Sequence, residues 1–232
     1  MPLFDVEKLA VLATEYCVPV SEGKKIGIVG NIVATPLIQQ LYKHTLLKGG
    51  YPVPHLRTRD VDGLEELLFT YGNDKQLTFV SPFLRFFYSE IDAVIQIFAE
   101  TNTRRLTNIP PTKLKQNAAS QREIVEIRAK RLLKPGGLAL IPYPTLAFAQ
   151  EAEMSLFEYQ DFIAKACFLD KKDPVKEWKD LSKMQENAVK RLNKAKNMRF
   201  VGEDTDLKMN VENRKWFNCD GHVNMPDGEV FT

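Results

Sequence analysis

Glu229 follows a tight-turn sequence near the end of the chain, in the stretch NMPDGEVFT. Pro226 fixes its own φ and Gly228 accepts a positive φ, so the stretch predicts a turn that holds the next side chain in one direction. A carboxylate held in this way suits a co-catalytic metal centre, where two cations lie about 3.5–4 Å apart. The pattern alone makes Glu229 eligible as a metal ligand, although an exposed surface glutamate is the commoner outcome.

Two other patterns are compatible with ligand binding. The stretch Gly27–Asn31 lies between a predicted strand and a predicted helix, as phosphate-binding turns do, but its GxxGN spacing matches neither GxGxxG nor the P-loop. Close packing of a helix against a strand, which glycine permits, is the more favoured interpretation. His222 lies seven residues before Glu229, and it is either a metal ligand or, more commonly for a histidine beside a turn, a surface residue.

Basic residues are frequent between positions 171 and 199, and a basic helix can follow a phosphate backbone. Acidic residues are interleaved with them, and Glu186 and Lys190 are spaced as an i,i+4 ion pair. The net charge of the whole chain, +2, is close to neutral. The pattern therefore favours a solvated helix face, and we expect no nucleic-acid partner.

Composition restricts the compartment and the kind of metal centre. The three cysteines, Cys17, Cys167 and Cys219, are far apart and predict neither a disulfide framework nor a CxxC metal clip. With three histidines, a histidine-rich metal centre is not expected. No apolar run approaches the ~20 residues that a membrane helix needs, and the first residues do not resemble a signal peptide. We expect a cytoplasmic protein with no membrane partner.

The elements that must position these residues alternate between strand and helix over most of the chain. This alternation predicts an α/β fold, a parallel-rich sheet flanked by helices. Strands are predicted at 24–30, 51–57, 92–99 and 138–142, although two prolines in the second weaken its assignment. Helices are predicted at 3–17, 35–48 with Thr35 as N-cap, 62–72, around 83–88, 112–133, 155–168 and 173–196. In the last helix, the periodicity predicts an inner stripe of Leu181, Met184, Ala188, Leu192 and Ala195.

Strand signals replace helix signals after Asn197, at 198–201, 207–211 and 215–219. We therefore predict two regions. Residues 1–198 form an α/β N-terminal domain, and residues 199–232 form the first β-strands of a second, incomplete domain.

The residues from Asp220 to Thr232 resemble the DG–NMPDGEVFT signature of the thermophilic metallo-aminopeptidases of the aminopeptidase T and aminopeptidase S type. Three upstream stretches are also similar to that family, namely YPT with AQEAEMS over 143–155, ACFLD over 166–170 and GEDTDL over 202–207. Glu153 stands where the family usually has a small residue. The similarity is collinear over nearly the whole chain.

The resemblance implies a homodimeric two-metal exopeptidase that removes N-terminal residues from peptides, with zinc or cobalt as its metals. It assigns the metal-bridging role to Glu229, whereas the other ligands and the catalytic residues would fall beyond Thr232. The catalytic domain would then begin within 199–232. The chain as given is expected to be the N-terminal portion of that enzyme, to be inactive alone and to bind no metal ion tightly.

Two functions of other classes remain open from the sequence. The first is a stand-alone α/β module that serves in interaction or dimerisation without catalysis. The second is a nucleotide-binding domain that uses Gly27–Asn31.

Overall fold

The computed structural model describes residues 4–57 and 63–232. Its strands are β1 Lys25–Asn31, β2 Tyr51–Arg57, β3 Ala93–Phe98, β4 Leu138–Pro142, β5 Asn197–Gly202, β6 Thr205–Asn210, β7 Phe217–Cys219 and β8 Glu229–Phe231. Its α-helices are α1 Val6–Leu12, α2 Thr35–Leu47, α3 Leu64–Tyr71, α4 Asp74–Leu77, α5 Pro82–Glu90, α6 Pro111–Ser120, α7 Arg122–Leu132, α8 Leu146–Glu151, α9 Leu156–Ala166 and α10 Pro174–Leu192.

Strands β1 to β4 form one parallel sheet in the order β2-β1-β3-β4. Residues of β1 alternate between two hydrophobic clusters: Ile26 and Ile28 pack in one with α1 and α2, and Val29 packs in the other with Phe87 and Leu132. Both faces of the sheet are therefore covered, which is why the central strands β1 and β3 are largely apolar. The predicted α/β fold with helices on a parallel sheet is confirmed.

Several helices differ from the prediction in detail. The helix expected over 112–133 is two helices, α6 and α7, which meet at Gln121. Helix α1 continues as a π-helical turn over Ala13–Cys17. Thr35 is the first residue of α2, not its N-cap, and the side chain of Asn31 caps the preceding 3-10 turn instead. Residue 3 of the predicted first helix and residue 62 of the third lie outside the described residues.

Helix α10 presents the predicted face to the core only in part. Its predicted N-terminus is confirmed, because Asp173 accepts a hydrogen bond from the backbone N–H of Lys176 at 3.0 Å. Met184, predicted to face inward, is 63% exposed, whereas Gln185 is 5% exposed. The prediction is wrong for Met184, whereas Leu181, Ala188 and Leu192 are half-buried and Ala195 lies beyond the end of the helix. The most buried side chains include Trp178 and Gln185, and both make hydrogen bonds.

The three strands predicted after residue 197 are present as β5, β6 and β7. With β8 they form two antiparallel pairs, β5 with β6 and β7 with β8. The loop between β7 and β8 returns to the parallel sheet and continues it beyond β4. Leu140 donates its N–H to the carbonyl of Val223 at 2.7 Å and accepts from the N–H of Met225 at 2.9 Å. The proposed domain boundary at 198 stays a prediction. None of the helices in residues 4–57 and 63–232 is long and apolar enough to cross a bilayer.

Candidate metal centre

The pairing of β7 with β8 places Cys219 directly opposite Glu229. Side chains opposite each other in an antiparallel pair share one face, with Cβ atoms about 4.5–5.5 Å apart. Asp227 lies two residues before Glu229, in the loop that leads into β8. The strand register thus brings the thiol of Cys219 to two carboxylates that are distant from it in the sequence.

Ligand atoms of Cys219, Asp227 and Glu229 all lie within 4.8 Å of one another. Cys219 and Asp227 are half-buried, and Glu229 is exposed. Sulfur and carboxylate oxygen bind zinc at about 2.3 and 2.0–2.2 Å, so small side-chain rotations would bring all three donors onto one ion. The donor set therefore fits a divalent cation. The sequence singled out Glu229 alone, because the spacing of the other two matches no linear metal motif.

Gln185 of α10 fixes the backbone of both strands that carry the cluster. Its Nε2 donates to the carbonyl of Glu229 at 2.8 Å and to that of Cys219 at 3.3 Å. Because Gln185 is buried and lies on a long helix, it holds these two strand ends against the rigid part of the molecule. Gly228, whose φ is 121°, closes the loop by donating its N–H to the carbonyl of Cys219 at 3.0 Å.

His222 lies beside the cluster but outside it. Its Nδ1 is 2.7 Å from Asp220 Oδ1, and the other oxygen of Asp220 accepts a hydrogen bond from Ser182 Oγ at 2.6 Å. The imidazole also lies against Tyr16, with ring centroids 4.4 Å apart. Tyr16 donates its hydroxyl to the carbonyl of Asp220 at 2.7 Å. His222 is thus a partly buried, anchored residue rather than a simple surface histidine.

Negative charge accumulates around the cluster. Burial raises the pKa of the Cys219 thiol, and the carboxylates of Asp227 and Glu229 raise it further. Burial also raises the pKa of Asp227, against the effect of two backbone N–H donors. Burial acts in the same direction on Asp220, but hydrogen bonds from His222 and Ser182 outweigh it, so the pKa of Asp220 is lowered. A cation bound among these groups would offset their mutual repulsion.

A groove of about 1300 Å³ opens beside the candidate ligands, between α10, the β7–β8 pair and the segment 133–135 that follows α7. Its wall is apolar at Leu133, Phe217 and Phe231, and it carries lysines at 183 and 190. A groove with an apolar wall and a few charged groups is typical of a site that binds organic molecules.

The other two candidate sites show ordinary structural roles. A Cβ at Gly27 would lie 2.9 Å from Ile91 Cδ1, and one at Gly30 would lie 3.1 Å from Ile97. These glycines allow close packing, which favours the packing interpretation of Gly27–Asn31 over a phosphate site. In the basic segment, Asp180 pairs with Lys176 at 2.9 Å, as expected of a solvated helix face.

Gly221 sets the path of the loop between Asp220 and Asp227. Its φ is 93°, and a Cβ there would lie 2.7 Å from Met225 Cε and 3.2 Å from Trp178. We expect Gly221→Ala to cost about 1–3 kcal/mol from overpacking, in addition to about 1–2 kcal/mol for a left-handed backbone. Urea unfolding measures the total decrease in the free energy of unfolding.

The matched control for Gly221 is Gly23, whose φ is 78° and which has no heavy atom within 4 Å of an added Cβ. Gly23→Ala therefore carries the backbone cost without the packing cost. Equal losses of stability in the two variants would show that the loop tolerates a side chain at Gly221.

The parallel sheet and the donor cluster together define an α/β protein with a candidate divalent-metal centre. The chain belongs to the thermophilic metalloprotease (M29) family, whose model matches residues 4–232. This confirms the resemblance seen in the sequence, and the family implies divalent metal ions.

Among solved structures, the chain is similar to wild-type AmpT from Thermus thermophilus, with a TM-score of 0.74 and 17% sequence identity. The match covers 97% of this chain and 60% of that one, so the chain spans less than two thirds of the length of AmpT. At this identity the likeness shows a common fold. No curated protein matches the chain.

Proposed function

We propose that the chain is the N-terminal portion of a two-metal aminopeptidase that hydrolyses N-terminal residues from peptides, and that Glu229 is a ligand of its zinc or cobalt ions. The proposal rests on one observation: in a chain of the metalloprotease family, Glu229 lies at the start of β8, with its carboxylate within 4.8 Å of two further donor side chains.

The residues of this chain hold and orient the site. Glu229 and Asp227 present carboxylates to one point, Gln185 fixes the strand ends, and the neighbouring groove offers an apolar wall for a substrate side chain. A bound divalent ion supplies a water of lowered pKa and polarises the scissile carbonyl. The cluster of Cys219, Asp227 and Glu229 offers three candidate ligands, fewer than two metal ions need. We propose that further sequence supplies the remaining ligands.

The assembly and the compartment are also proposals. We propose a homodimer in the cytoplasm, where the three cysteines, which are all unpaired, would stay reduced. We propose that the 232-residue chain is inactive alone, which fits its coverage of 60% of the AmpT chain.

Metal removal tests the function. The protein expressed from its whole gene is expected to release leucine or arginine from their anilides, to lose this activity on treatment with a chelator, and to regain it with Zn²⁺ or Co²⁺. The 232-residue chain, assayed in parallel, is expected to show no activity. Activity that survives complete metal removal would contradict the metal-dependent mechanism. No hydrolysis of any anilide or peptide would favour the stand-alone module instead.

A further inference from the structure

We propose that Cys219 is a metal ligand, so that its thiolate together with Asp227 and Glu229 forms a site for one divalent cation within this chain. The inference deepens the proposed function, on which it rests, because it adds a sulfur donor to the centre that contains Glu229. It also departs from the sequence-based expectation that the chain alone holds no ion tightly.

The position of Cys219 differs from that of the other cysteines. Cys17 and Cys167 are completely buried in the main hydrophobic cluster and serve as small apolar side chains. Cys219 is half-buried at the end of β7, and its Sγ lies within 4.8 Å of a carboxylate oxygen of both Asp227 and Glu229. A thiol this close to two carboxylates is poorly placed for apolar packing and well placed for a cation.

The backbone around these donors is fixed before any ion binds. Gln185 is 5% exposed and cross-links the carbonyls of Cys219 and Glu229, while its Oε1 is buried without a hydrogen-bond partner in the described part of the chain. A buried amide in this position keeps Cys219 and Glu229 in register. Preorganisation of this kind lowers the entropic cost of gathering ligands.

The donor set also selects the metal. Thiolate sulfur favours zinc and similar borderline ions, whereas Mg²⁺ and Ca²⁺ prefer sites made of oxygen alone. The cation binds the thiolate, so a proton leaves Cys219 as the metal enters. Two carboxylates and one thiolate leave the fourth position of a tetrahedral ion open, as substrate or water binding requires.

Cobalt spectroscopy tests the ligand directly. Co²⁺ alone is titrated into the 232-residue chain, and we expect a thiolate-to-cobalt charge-transfer band in the near ultraviolet that saturates at one equivalent. Cys219→Ser is expected to remove this band and to weaken cobalt binding by at least about tenfold. The variant retains Cys17 and Cys167, so any thiolate band that those two cysteines produce would persist in it.

Three results would overturn the inference: no cobalt binding, cobalt bands without a thiolate band, or a thiolate band that persists in Cys219→Ser. Circular dichroism checks that the variants are folded. Cys219→Ala, which keeps a small apolar side chain, is expected to lose the band in the same way as Cys219→Ser. The proposed function is judged separately, by activity. Loss of activity in Glu229→Gln without any thiolate band would leave the function standing and the Cys219 inference wrong.

Discussion

Replacement of Trp178 with alanine is expected to lower the free energy of unfolding by about 3–5 kcal/mol. The indole is 1% exposed and packs between Tyr16 and Phe168, with ring centroids 6.4 and 5.3 Å away. Its Nε1 donates to the carbonyl of Cys167 at 3.2 Å. Removal of the ring leaves a cavity and an unpaired carbonyl where α10, α1 and the loop that carries Gly221 meet.

The same substitution is also expected to weaken metal binding at the candidate centre. Tyr16 and Trp178 support the loop from Asp220 to Met225, so the loss of packing should also loosen Asp227. Urea denaturation measures the stability, and a cobalt titration measures the site. Phe157→Ala is the control, because Phe157 is 68% exposed and its loss should change stability by about 0.5 kcal/mol or less. Equal effects of the two substitutions would contradict the packing account.

The parallel sheet could be predicted from the sequence because local patterns determine it. The stretch AVIQIF of β3 is a short, β-branched apolar run, as strands covered on both faces usually are. The start of α9 could also be predicted from the sequence, since Ser155 and Glu158 form the reciprocal capping box that their spacing indicates.

The burial of Gln185 in place of Met184 on α10 could not be predicted in the same way. Periodicity favoured Met184 as a core residue, because methionine is apolar and glutamine is not. Gln185 is buried because two backbone carbonyls of β7 and β8 need a donor, and that need arises from strands distant in the sequence. A buried polar residue whose hydrogen bonds go to distant backbone groups has the same local sequence pattern as a surface residue.

The candidate metal centre follows from the sequence in part. A resemblance assigns Glu229, since turn chemistry alone does not separate it from a surface glutamate. The proposed ligand Cys219 does not follow from the sequence, because only the register of β7 against β8 places it opposite Glu229. No spacing rule for linear metal motifs includes such a pair, whereas a predicted pairing of FNC with EVF would have revealed it.

The claim that Glu229 binds the catalytic metal is tested most directly by Glu229→Gln in the protein expressed from its whole gene, with kcat/KM and bound metal measured on the same sample. The amide keeps the size of the side chain but loses the charge that a bridging ligand needs. We predict a fall in kcat/KM of at least about 100-fold together with loss of bound metal, since even residues that only support metal ligands cost 10–100-fold. Glu203→Gln, an exposed glutamate between β5 and β6, should change neither quantity. A Glu229→Gln enzyme with the metal content and kcat/KM of the unmodified protein would contradict the assignment.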